Sequence, residues 1–157
     1  PAARPASPVA PEDVPAARGD ADEALHARLA AIPGLDVAAG LAVVRGNLAS
    51  YARILRLFAA GHGGDGARLR ALLEAGDLVA AQLLAHGLKG VAGNLGAKSL
   101  ANLATVLDAA LRQGDAQAAR PPLEQLADHL PLLIDQLNAA LGTAGNSQIP
   151  YQHFRIN

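Results

Sequence analysis

His86 and Lys89 stand three residues apart in AHGLKGVAGNLGA, residues 85–97, which also places glycine at 87, 90, 93 and 96. Imidazole is a nitrogen nucleophile near neutral pH, because its ordinary pKa of about 6.5 leaves much of it uncharged there. Lysine is a compact, mobile point charge. The chain holds eleven arginines and only two lysines, Lys89 and Lys98, both in or just after this stretch. A histidine beside such a cation could accept a phosphoryl group, and the lysine would meet the charge of roughly −1.5 to −2 that the group brings. Gln82, one turn before the histidine, could donate a hydrogen bond to the same group.

These residues must sit on a helix for the spacing to count. Leu78, Ala81, Ala85, Leu88, Ala92 and Leu95 recur at helical intervals and form a core stripe. His86 lies about 100° around the helix from Ala85, so it stands outside that stripe. Gln82, Lys89, Gly90 and Gly93 share its side. Each glycine costs a helix about 1 kcal/mol relative to alanine. Gly90 and Gly93 have a functional reason: they clear space for a partner's surface to approach the ring. Gly87 falls elsewhere on the wheel and suits close helix packing. Asp77 can cap the start of this helix, and Gly96 can stop it.

The rest of the chain supplies further helices. The spacing predicts a short one over 36–44 and a longer one with Leu48, Tyr51, Ile54, Leu55 and Phe58 on one face. A glycine-rich turn, residues 61–66, leads to a short helix ending at Gly76. Leu100, Leu103, Leu107, Ala110 and Leu111 mark the next helix. Leu123, Leu126, Leu130, Leu133, Leu137 and Leu141 mark the last, with Pro121 and Pro122 suited to its first turn and Pro131 placed to kink it. The expectation is an all-α fold: an up-down four-helix bundle with short additional N-terminal helices. Residues 1–34 read as an Ala/Pro-rich linker with a short helix over 20–32. Residues 35–142 read as the bundle, and residues 143–157 as a tail of different character.

Composition excludes several function classes. The formal net charge is −1, which leaves no general nucleic-acid footprint. Tryptophan is absent and only two tyrosines and two phenylalanines occur, so no base-stacking platform is expected. The absence of cysteine removes disulfide and thiolate chemistry. No apolar run approaches the roughly 18 residues that span a bilayer. Starting at Pro1 and lacking methionine, the chain reads as a fragment of a longer protein.

Other site chemistries fit less well. GVAGNLGAKS misses the phosphate-loop pattern because Ala97 intrudes between Gly96 and Lys98, and no strand precedes it. His26, His62, His86, His129 and His153 are scattered without metal-ligand spacing. His62 in its glycine loop and His129 on the last helix read as solvent-facing. No acid/base carboxylate pair stands out from the sequence.

AHGLKGVAGNLGA resembles the signature of histidine-containing phosphotransfer (HPt) domains of bacterial multistep phosphorelays. Ala85, His86, Leu88, Lys89, Gly90, Ala92, Leu95 and Gly96 match the pattern in order. LANLATVLDAALRQGD is similar to the helix that follows in that family. LDVAAGLAVVRGNLASYARILRLF resembles its opening segment in domains at the ends of hybrid sensor kinases. Gly87 departs from the usual threonine or serine, and Val91 is larger than the usual small residue. The resemblance implies that His86 is the phosphoacceptor, Lys89 its phosphate-stabilising partner, and Gly90 and Gly93 the clearing where a receiver docks. It implies a phosphocarrier rather than an enzyme, taking a phosphoryl group from one receiver aspartate and passing it to another. It implies no cofactor in this domain, with Mg²⁺ supplied by the receiver, and no nucleic-acid or direct membrane contact. It also implies a monomeric domain in the cytoplasm, whose parent is a hybrid histidine kinase that can be anchored in the inner membrane. The alternative is an HPt-like docking module that regulates a receiver or enzyme without transfer; a plain helical spacer is a third reading.

Overall fold

The computed structural model describes residues 13–142 and contains seven α-helices and no strands among them. They are α1 (Asp13–Ala30), α2 (Val37–Val43), α3 (Leu48–Gly61), α4 (Asp65–Glu74), α5 (Leu78–Leu95), α6 (Lys98–Arg112) and α7 (Ala116–Leu141). The all-α helical bundle expected from the leucine spacing is the fold observed. Residues 1–12 of the linker expected over 1–34, and the tail over 143–157, lie outside the described residues.

Short polar caps set the helix starts. Asp36, Asn47, Asp77 and Asp115 each accept a hydrogen bond from the backbone N–H three residues on, at 2.9–3.1 Å. Each satisfies a donor that the first turn leaves without an intrahelical partner. Asp77 therefore caps α5, as its position predicts. Gly96 ends α5 in the left-handed region at φ 77°, and an added Cβ there would strike the Asp36 carbonyl oxygen.

Two boundaries differ from the sequence expectation. Helix α1 begins at Asp13 rather than Asp20. Pro15 falls in its first turn, where proline removes no intrahelical bond, and Ala16, Ala17 and Arg18 continue it well. Helix α7 begins at Ala116, so Pro121 and Pro122 lie beyond its first turn. Asp115 caps the earlier start, and Ala119 is fully buried in the core. Cap and burial together outweigh the backbone bonds that the prolines remove.

The core is mostly leucine and alanine, with Ile32, Val37, Tyr51, Phe58 and Ile134 among them. Leu55, Leu69, Leu88, Leu100, Leu107, Leu123, Leu126 and Leu130 are fully buried. Helix α5 contributes Ala81, Ala85, Leu88, Ala92 and Leu95, and Leu78 packs against them. Alanine at 81, 85, 92 and 104 lets α5 and α6 lie close together. Helix α1 joins the same core through Leu29, while Arg28 Nε donates to the Ala140 carbonyl at 2.9 Å.

The α5–α6 corner is pinned from outside. Asp36 N–H donates to the Gly96 carbonyl at 2.7 Å, and Lys98 N–H donates to the Gly34 carbonyl at 2.8 Å. Lys98 Nζ pairs with Asp36 Oδ2 at 2.7 Å, and this pairing holds the Asp36 carboxyl below its ordinary value. The buried Tyr51 hydroxyl donates to the Leu95 carbonyl at 2.7 Å. Burial, with the nearby Asp36 charge, pushes that phenol up to about 12. This corner fixes how α5 and α6 face each other. Among the described residues no helix is long and apolar enough to cross a membrane.

Candidate functional site

His86 projects from the middle of α5 with its side chain 55 % exposed, outside the buried alanine–leucine stripe. The side chains at the same side of the helix behave as the spacing predicts. Gln82, one turn before, and Lys89, one turn after, both turn toward α6. Among the described residues, nothing from another element lies within 4 Å of where a Cβ would stand on Gly87, Gly90 or Gly93. The space beside the ring at Gly90 and Gly93 is therefore open. Gly87 is open as well, which corrects the packing role expected for it: among the described residues no helix approaches it.

What gathers these side chains is a carboxylate. Asp108, on α6, is buried to 3 % exposure at the seam between the two helices. Gln82 Nε2 donates to Asp108 Oδ1 at 2.7 Å. The other oxygen, Oδ2, faces His86 Nδ1 at 3.4 Å, Arg112 NH2 at 3.4 Å and Lys89 Nζ at 3.9 Å. Arg112 NH2 also stands 3.3 Å from His86 Nδ1. Burial pushes the Asp108 carboxyl up, but the Gln82 hydrogen bond, the His86 ring and the Arg112 guanidinium outweigh it. The group is held below its ordinary value. A buried carboxylate is tolerable only with such partners.

All contacts of the imidazole fall on Nδ1; among the described residues Nε2 meets no hydrogen-bond or ionic partner. The geometry is thus an exposed ring with one nitrogen turned inward to a charged cluster and the other turned away from it. Two cations flank that ring. Such a set can attack an electrophile from solvent and meet added negative charge. Among the described residues no cluster of three or more His, Asp or Glu side chains could hold a metal ion.

The family model described as Hpt domain matches residues 53–140, more than half of the chain. The chain belongs to the Hpt family. The matched segment of this Hpt domain opens inside α3 and closes at the end of α7, so the whole of the His86–Asp108 cluster lies within it. Searches of curated proteins and of solved structures gave no match. Membership brings phosphotransfer of the two-component signalling type, in which Hpt domains act as phosphocarrier modules and interact with receiver domains.

Asp108 and Arg112 escaped the sequence reading. One signal was available: Leu100, Ala104, Leu107 and Leu111 are buried along α6, and Asp108 sits beside that stripe, four residues after Ala104. An acid at such a position must find partners on the facing helix. Arg112 follows it by one turn.

Two other histidines correct their sequence assignment. His62 is not simply solvent-facing. It stacks on the Phe58 ring at 4.9 Å between centroids, and its Nδ1 meets the buried Asp65 Oδ2 at 2.7 Å. His129 is partly buried on α7, and that burial pushes its imidazole below the ordinary value. His26 is exposed on α1, and His153 lies outside the described residues.

Proposed function

We propose that His86 accepts a phosphoryl group from a receiver-domain aspartate and passes it to a second response-regulator receiver. The single observation that carries this reading is the exposed imidazole beside Lys89 and Arg112, backed by a buried carboxylate and flanked by open glycine positions. Phosphoryl transfer asks little covalent chemistry of a protein; it asks for positioning and for charge that meets the transferred group. Lys89 is loosely held at 3.9 Å from Asp108, so its ammonium can swing to a phosphoryl oxygen. Gln82 is already bonded to Asp108, and its proposed part is to orient that carboxylate. Gly90 and Gly93 admit the receiver, whose own Mg²⁺ neutralises most of the charge in transfer. The domain needs no cofactor and catalyses no turnover of its own.

The unit over 35–142 is taken as the phosphotransfer module, with α1 packed on it through Leu29. The likeness of its opening segment to domains in bacterial hybrid sensor kinases supports such a parent, with the module monomeric and on the cytoplasmic side. Mass spectrometry after incubation with receivers charged by acetyl phosphate tests the assignment. One phosphate on the peptide containing His86 is the expected result. Phosphate on another residue overturns it, and receiver binding with no phosphate on the chain favours a docking module without transfer.

A further inference from the structure

Two charged groups of opposite sign compete for a single ring nitrogen. Asp108 Oδ2 lies 3.4 Å from His86 Nδ1 and can only accept a hydrogen from it. Arg112 NH2 lies 3.3 Å from the same Nδ1 and can only donate. Both contacts are long for hydrogen bonds, and they cannot both be made at once. If Nδ1 carries the hydrogen, it donates to Asp108 and leaves a lone pair on Nε2. If Nδ1 is bare, it accepts from Arg112, and Nε2 carries the hydrogen.

We infer that Asp108 and Arg112 set the tautomer of His86 against each other, with Asp108 favouring the nucleophilic form and Arg112 opposing it. Both are positioning residues here, and the inference rests on the reading of His86 as phosphoacceptor. In the form Asp108 favours, the Nε2 lone pair forms the N–P bond while the receiver's acyl phosphate O–P bond breaks and its electron pair returns to the carboxylate. The hydrogen on Nδ1 stays in place. The ring gains positive charge, which the buried Asp108 carboxylate, 3 % exposed, is placed to offset. In the form Arg112 favours, Nε2 has no lone pair to offer, and a proton would have to move first.

The remaining neighbours do not decide the tautomer. Gln82 binds the other oxygen of Asp108, and Lys89 reaches Oδ2 at 3.9 Å without a contact to the ring. No charged group of α2, α3 or α4 forms an ion pair or hydrogen bond with the ring among the described residues. Arg112 is 59 % exposed, so a phosphoryl group or a docked receiver can draw it off Nδ1. Its removal then shifts the ring toward the reactive form.

Nitrogen-15 spectra of the His86 ring, recorded on the whole chain at a pH where imidazole is uncharged, test this directly. The fraction with hydrogen on Nδ1 should rise in the order Asp108→Asn, wild type, Arg112→Gln. The arginine is exposed, so its variant keeps the test alive if the aspartate variant does not fold. Indistinguishable spectra, or the reverse order, overturn the inference. The predicted order together with no phosphate on His86 under any donor would instead sink the phosphoacceptor reading and leave the tautomer assignment standing.

Discussion

Asp108 Oδ2 stands 3.4 Å from His86 Nδ1 across the α5–α6 seam, so the one exposed imidazole on this face is backed by a buried negative charge. The relationship joins fold to chemistry. The alanine-lined packing that brings the helices together also desolvates the carboxylate that the ring faces.

The Asp108 carboxylate, held by Gln82, His86 and Arg112, makes stability depend on pH. Asp108 is held below its ordinary value in the folded chain, so its contribution is present above the unfolded carboxylate pKa of about 4 and is lost as pH falls through the folded value. Asp108→Asn should cost about 1.5–3 kcal/mol at neutral pH, the range for a hydrogen bond to a charged group. Urea unfolding at a series of pH values checks this: the gap between variant and wild type should close in acid. A gap that stays constant would show that the charge contributes nothing.

Gly93→Leu should separate docking from folding. Among the described residues nothing from another element lies within 4 Å of the position a Cβ would take, so the side chain has room, and the helix gains up to about 1 kcal/mol from losing glycine. Thermal unfolding should therefore hold or rise while transfer from a receiver falls. Transfer at the wild-type rate would remove Gly93 from the docking surface.

Gly96→Ala should do the reverse. The residue holds φ 77°, and its Cβ would meet the carbonyl oxygen of Asp36, the residue whose N–H pins α2 to the corner by donating to the Gly96 carbonyl. Strain of this kind costs of order 1–3 kcal/mol. A loss of that size in denaturant unfolding is expected; a neutral substitution would mean that the corner yields without cost.

Tyr51→Phe should lose about 1–3 kcal/mol, because the Leu95 carbonyl is left without its donor. It should also change the alkaline limb. The phenol is raised to about 12 in the folded chain against about 10 unfolded, so its contribution is complete below pH 10 and is lost as pH rises toward 12. That window spans about 2–3 kcal/mol in wild type. Wild type should approach the variant's stability there, and parallel curves up to pH 12 would contradict the account.

The helices and the His86 face were legible because both depend on local spacing. Leucine and alanine periods give the core stripe of α5, and Asp77 and Gly96 mark its ends. The start of α7 was not legible, because Pro121 and Pro122 resemble a first turn until the Asp115 cap and the burial of Ala119 are seen. Asp108 was hidden for a related reason. Its meaning depends on the register of α6 against α5, which places it between Gln82 and His86. Nor could the openness around Gly87 be read from the wheel alone, since it depends on which neighbouring helix is absent there.

The central claim is that His86 carries the phosphoryl group, and the most direct measurement is transfer of label from a phosphorylated receiver to this chain beside its His86→Gln variant. The account predicts label on the wild type alone, lost in acid and stable in base, with the helical content of both chains equal. Acid-labile label retained on the folded variant would contradict it.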